Sequence, residues 1–187
     1  YVDGEEVYMA GSTALLPKTS SNYHTWLIAR LQYEHYIPTG IFYRPCLYLE
    51  GVYSGQSLFT NYTSSSLSAP AFTPTPETKT LFLQRFRAHK YVAAGIKNVF
   101  VFKKIFELRL ETYYYQPYQL IVENPANQQP SYTDPFVHKY IIATASLVAH
   151  TPIGPISIGG NYYHKEVEPF TFLFHFGYII FNKRALE

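Results

Sequence analysis

FTFLFHFGYIIF, residues 170–181, is the stretch whose reading decides the fold. Taken with a period of two, Phe172, Phe174, Phe176, Tyr178 and Ile180 share one side, which carries no polar group beyond one phenol. The other side, Thr171, Leu173, His175, Gly177 and Ile179, is smaller and mixed. A strand with one face against lipid and the other lining the inside of a barrel reads this way. A buried strand of a soluble sandwich shares the pattern, so the rest of the chain has to choose.

Upstream, 106–115 gives the cleanest alternation: Phe106, Leu108, Leu110, Thr112 and Tyr114 oppose Glu107, Arg109, Glu111, Tyr113 and Tyr115. Three successive charges on one strand face rarely sit in a dry core. Further strands are expected at 7–10, 23–36, 41–54, 91–102, 138–149 and 156–163. A long loop, rich in Ser, Thr, Pro and Asn, covers 55–90 and ends in the basic run LFLQRFRAHK. Short turns fall at 38–40, 103–105 and 152–154, and long connections at 11–22, 55–90, 116–136 and 164–169. Sorting connections by length is the habit of an outer-membrane barrel, tight on the periplasmic side and long outside. A soluble sandwich has no reason for it. The expected fold is therefore all-β, an antiparallel transmembrane β-barrel segment over 1–187 with about eight strands.

Composition bounds the partners. Of 187 residues, 18% are aromatic, with 19 Tyr and 14 Phe, the amphipathic rings favoured where apolar and wet surroundings meet. Mean hydropathy is -0.11 and no run reaches the length of a membrane-spanning helix. The net charge of +2 is unclustered, which argues against a nucleic-acid partner. The single cysteine, Cys46, excludes an internal disulfide. YVDGEEVYMAG at the start has no signal-peptide pattern, so an exported chain would be a mature segment or a fragment.

No catalytic motif survives. Gly55, Gln56 and Ser57 begin like a nucleophile elbow, but Phe59 stands where its last glycine belongs. There is no phosphate-binding loop, dinucleotide fingerprint or zinc-protease motif. His24, His35, His89, His138, His150, His164 and His175 lack ligand spacing, so no metal and no cofactor are expected. Asn61–Thr63 matches a glycosylation triplet, which has no meaning in a bacterial outer-membrane protein. The remaining constellation is charge: Arg30 and Glu34, Arg44 and Glu50, Lys97, Glu107, Arg109 and Glu111 are expected to face a barrel lumen. Either that lumen wall is simply solvated, or the basic loop folds in and pairs Arg85 or Arg87 with carboxylates such as Glu107 and Glu111.

TPIGPI at 151–156 and FLFHFG at 172–177 resemble the penultimate hairpin and the terminal strand signal of the BamA-like, surface-antigen superfamily of outer-membrane barrels. That resemblance implies the C-terminal half of a 16-stranded barrel, with 55–90 as its lumen-inserted loop and Phe172, Phe174, Phe176 and Gly177 as the signal read by the barrel-assembly machinery. The family's loop carries V-R-G-[FY]; Phe86, Arg87, Ala88 and His89 are its nearest match, so the resemblance carries over the arginine, Arg87, alone. With FRAHKYVAAGIKNVF, LRLE and TPIGPISIGGNYY, the chain is similar to the C-terminal barrel of bacterial patatin-like phospholipases. This implies a serine lipid acyl hydrolase in the remaining N-terminal part of the same protein, outside these residues. Outer-membrane lipid is the other implied partner. A stand-alone transport or binding barrel and an outer-membrane assembly factor are the alternative readings.

Overall fold

The computed structural model describes residues 25–102, 105–126, 128–152 and 154–177. Its main element is one antiparallel sheet, β1 Ile28–Tyr36, β2 Tyr43–Ser54, β3 Lys90–Phe102, β4 Phe106–Pro117, β7 Tyr140–Thr151, β8 Gly154–Tyr163 and β9 Phe170–Phe176, while β5 Ile121–Glu123 and β6 Pro130–Tyr132 pair apart from it. Each strand pairs with the next, in the order β1-β2-β3-β4-β7-β8-β9. The all-β, antiparallel expectation holds. Among the described residues β1 and β9 are the two edges of the sheet, and no helix is long and apolar enough to cross a membrane.

Element bounds differ from the sequence reading in physical detail. The strand expected at 7–10, the start of 23–36 and the end of 170–181 lie outside the described residues. The strand expected at 41–54 begins only at Tyr43, because Gly40, at φ 153, still turns the chain and Thr39 Oγ1 donates to Tyr43 O at 2.7 Å. At the other bottom turn, Gly154 has φ 128 and takes the Thr151 hydroxyl on its carbonyl at 2.5 Å, so β8 starts earlier than 156. His138 is held out of β7 because its carbonyl takes the Gln116 side chain at 2.6 Å. The long loops are not bare: 55–90 contains helix α1, Tyr62–Ser68, and 116–136 contains a hairpin of β5, Ile121–Glu123, and β6, Pro130–Tyr132.

Register sorts the side chains. Tyr33 sits opposite Leu49, Leu49 opposite Ala94, Ala94 opposite Tyr114, and Tyr114 opposite Ile141. Leu147 continues the row to Ile158, and Ile158 to Phe174. Directly opposed residues share a face, so these form one outward wall. Phe172, Phe174 and Phe176 stand on it, 83%, 66% and 61% exposed. Among the described strand residues, Lys90 at the loop end is the one formal charge on that wall. Tyr53, Tyr114 and Tyr162 border the wall at the loop end, and Tyr43, Phe100 and Phe106 near the tight turns. Asn98, a polar exception, accepts from the Tyr43 phenol at 2.7 Å.

The inner face takes the opposite character. Arg30, Glu34, Arg44, Glu50, Lys97, Glu107, Arg109 and Glu111 all stand there by register. Its loop-end half is buried and aromatic, with Tyr48, Tyr113, Tyr115 and Tyr163 almost without exposure. Gly95 lies opposite Tyr113, and a Cβ on it would stand 2.3 Å from the tyrosine ring. Only glycine lets that ring lie flat over the strand.

Candidate functional site

What buries the inner face is the 55–90 loop. Its middle pairs with its C-terminal part at an isolated antiparallel bridge, Ala71 with Arg87, with Phe72 N donating to Phe86 O at 2.8 Å and Ala88 N to Pro70 O at 3.1 Å. That pairing presents Phe72 and Phe86 side by side to the sheet, each 1% exposed. Phe72 stacks on Tyr115 at 5.2 Å between centroids and meets Tyr91 edge-on at 5.9 Å. Phe86 packs on Tyr115 at 5.5 Å and on Tyr140 at 5.6 Å. The loop thus forms an aromatic plug, and each buried ring contributes about 1.5–3 kcal/mol of apolar burial.

A polar knot fixes one side of the plug. Glu50, buried on β2, accepts from the Tyr48 phenol and from the Tyr91 phenol, the latter at 2.7 Å, and stands 3.5 Å from Arg30 Nε. The Tyr91 hydroxyl lies 3.2 Å from Ala71 O, and Arg30 Nη2 donates to that same carbonyl at 3.2 Å. A buried carboxylate held by two phenols and an arginine has its desolvation offset by charge-assisted bonds. At the far edge, Glu77 of the loop reaches within 3.8 Å of His175 on β9, an ion pair when the imidazole is protonated. The loop therefore spans the inner face from β1 to β9.

Arg87 lies in this loop and points along it. Its Nη1 donates to Leu67 O at 2.8 Å and to Ala69 O at 3.3 Å, and its guanidinium covers the Phe82 ring at 4.8 Å. Burial lowers its pKa from the usual arginine value. Arg85 contributes its backbone N–H to Glu166 Oε1 at 3.2 Å. Neither arginine pairs with Glu107 or Glu111, so the expected lumen pairing is replaced by local partners. Glu107 holds Arg109 at 2.7 Å and His150 at 3.2 Å, while Glu111 accepts from Tyr113. The reason is distance along the strand: the loop enters from the end where β4 carries Tyr113 and Tyr115, and Glu107 lies near the opposite end.

Beneath the plug the inner face stays open and charged. A cavity of about 570 Å³ there is lined by Tyr36, Arg44, Val99, Glu107, Arg109 and Glu111 among others. Lys97 bridges to Glu34 at 2.7 Å beside it. Buried Cys46 lies 3.9 Å from Glu34. Phe172, Phe174 and Phe176 stay on the outward wall, and Gly177 ends β9 at φ 95, its N–H donating to Pro155 O at 2.9 Å. Among the described residues no group of three His, Cys, Asp or Glu side chains could hold a metal.

Phe72 was not singled out by sequence reasoning, and Phe86 entered only as part of the nearest match to a loop motif. Phe72 follows Ala71 in a polar stretch and Phe86 stands between Arg85 and Arg87, and two lone aromatic rings in a polar, basic connection were the available signal. Glu50 was legible as an inward charge, but its convergence with Tyr48 and Tyr91 was not, because that depends on the pairing of β2 with β3. Comparison with protein-family profiles, with curated proteins and with solved structures finds no match. The geometry defines a class: an antiparallel sheet with an apolar outward wall and a charged inner face, half-filled by its own loop.

Proposed function

We propose that this chain belongs to a bacterial outer-membrane β-barrel, the C-terminal half of one with about 16 strands. The barrel anchors an upstream patatin-like lipid acyl hydrolase and serves as its exit route. One observation carries the membrane part: an outward wall across seven strands whose one formal charge, among the described residues, is Lys90 at its rim. Water gives such a wall no advantage, and lipid requires it. The hydrolase and the barrel-assembly partner rest on the resemblance of FRAHKYVAAGIKNVF, TPIGPI and FLFHFG. The plug favours an anchor over a stand-alone pore, since it fills the loop end of the inner face.

Leu110→Arg tests the membrane reading. Leu110 is exposed on the outward wall, one residue from Arg109 on the inner face. Facing water, the change would stay within about 0.5 kcal/mol. Facing lipid near mid-membrane, it costs roughly 2–4 kcal/mol. Denaturant unfolding in detergent micelles and vesicles measures the difference, and a neutral Leu110→Arg in a chain that stays soluble without detergent refutes the reading. Labelling the whole protein with a fluorophosphonate probe tests the hydrolase, which is refuted if no serine reacts.

A further inference from the structure

Lys90 is out of character with the wall it stands on. It opens β3 opposite Tyr53, and its ammonium lies 4.9 Å from the Tyr53 ring centroid and 5.9 Å from that of Tyr118. Among the described residues it makes no ion pair. Cation–π contacts orient an ammonium and leave its charge in place.

Two hollows share Lys90 and Tyr118. One, of about 190 Å³, is polar, with Gln56, His89, Gln119 and Tyr132 in its wall. The other, of about 280 Å³, is apolar and runs past Val92 and Phe136. His89 Nδ1 lies 2.7 Å from the Tyr132 hydroxyl, while among the described residues its Nε2 has no hydrogen-bond partner. Burial raises the Tyr132 pKa, so the phenol stays protonated, and the His89 tautomer sets which of the two groups donates.

The apolar hollow is a built wall. Phe136 is 63% exposed yet held at φ 60, a backbone region that bulky residues rarely enter. Its N–H donates to Tyr118 O at 2.7 Å, its ring meets Tyr118 edge-on at 5.1 Å, and its carbonyl takes Gln116 Nε2 at 3.4 Å. An unpaired cation between a polar pocket and an apolar groove fits a molecule with an anionic phosphate, a polar headgroup and an acyl chain.

We propose that Lys90 and these two hollows form a rim site for one anionic acyl lipid, a phospholipid or a phosphorylated glycolipid. The phosphate meets the Lys90 ammonium, the headgroup fills the pocket beside His89, and the chain lies along Val92, Tyr118 and Phe136. The site rests on the membrane reading, because its groove continues the outward wall.

Native mass spectrometry of the full chain in detergent, stripped of lipid, tests it. Phosphatidylglycerol, lipid A, phosphatidylcholine and inorganic phosphate are added in separate arms. The wild type retains one anionic lipid in preference to phosphatidylcholine, and the stronger of the two anionic arms identifies the source. Lys90→Gln lowers that retention about five-fold, equivalent to about 1 kcal/mol, and Lys90→Arg restores it. Phe136→Ala lowers retention of both anionic lipids and leaves the fold's heat-modifiable gel mobility intact. Equal retention by Lys90→Gln and wild type overturns the site, as does inorganic phosphate bound as tightly as lipid. A chain that remains soluble without detergent and ignores phosphatidylglycerol vesicles overturns the membrane reading and the site together. One that inserts yet shows no dependence on Lys90 or Phe136 overturns the site alone.

Discussion

Replacing Phe86 with Ala removes the ring that the loop drives between Tyr115, Tyr140 and Tyr163, at centroid distances of 5.5, 5.6 and 6.5 Å. Deleting a fully buried phenylalanine ring costs roughly 3–5 kcal/mol when the surroundings cannot close on the gap. Here they cannot close, because the tyrosines are fixed on neighbouring paired strands. About 3 kcal/mol in loop docking is a change of about 150-fold in the undocked population. The assay is built into the chain: its single tryptophan, Trp26, meets Phe59 of the loop edge-on at 6.4 Å. Trp26 emission and protease cleavage within 56–88 should both report an undocked loop in Phe86→Ala. Phe82→Ala, at a ring 52% exposed, should change much less. Identical emission and cleavage in Phe86→Ala and wild type would refute the plug as the element that closes the inner face.

The same readouts serve two further variants. Arg87→Ala leaves the Leu67 and Ala69 carbonyls without their donor, a loss of roughly 1–3 kcal/mol in loop docking, and Arg87→Lys recovers only part because it lacks the forked geometry. Cleavage rates of the two variants decide this. Burial, with the Lys90 charge beside it, holds the His89 pKa below the usual histidine range, so the folded loop prefers the neutral ring. The unfolded imidazole titrates near about 6.5, so this contribution is complete above that pH and is lost as pH falls through it toward the folded value. Loop protection measured by proteolysis should weaken below about pH 6, and His89→Gln should flatten that part of the pH dependence.

The alternation of 106–115 and 170–181 determined the strand period and the contrast between the two faces, and the spacing of the Pro, Gly and polar stretches sorted short turns from long loops. Period-two patterning is local, so it can be read from one strand at a time. The inward charges follow for the same reason: residues spaced by two stay on one side whatever the neighbours are. Tertiary structure alone decided what stands over that inner face. Phe72 and Phe86 meet because a single bridge between Ala71 and Arg87 closes the loop on itself. Glu50, Tyr48, Tyr91 and Arg30 meet because β1, β2 and β3 pair in one register. Arg87 turned to the loop's own carbonyls for the same kind of reason: which end of β4 it faces depends on where the loop enters, and no spacing along the chain encodes that. A side chain's face is set by its own strand, while its partner is set by strands and loops far away in sequence.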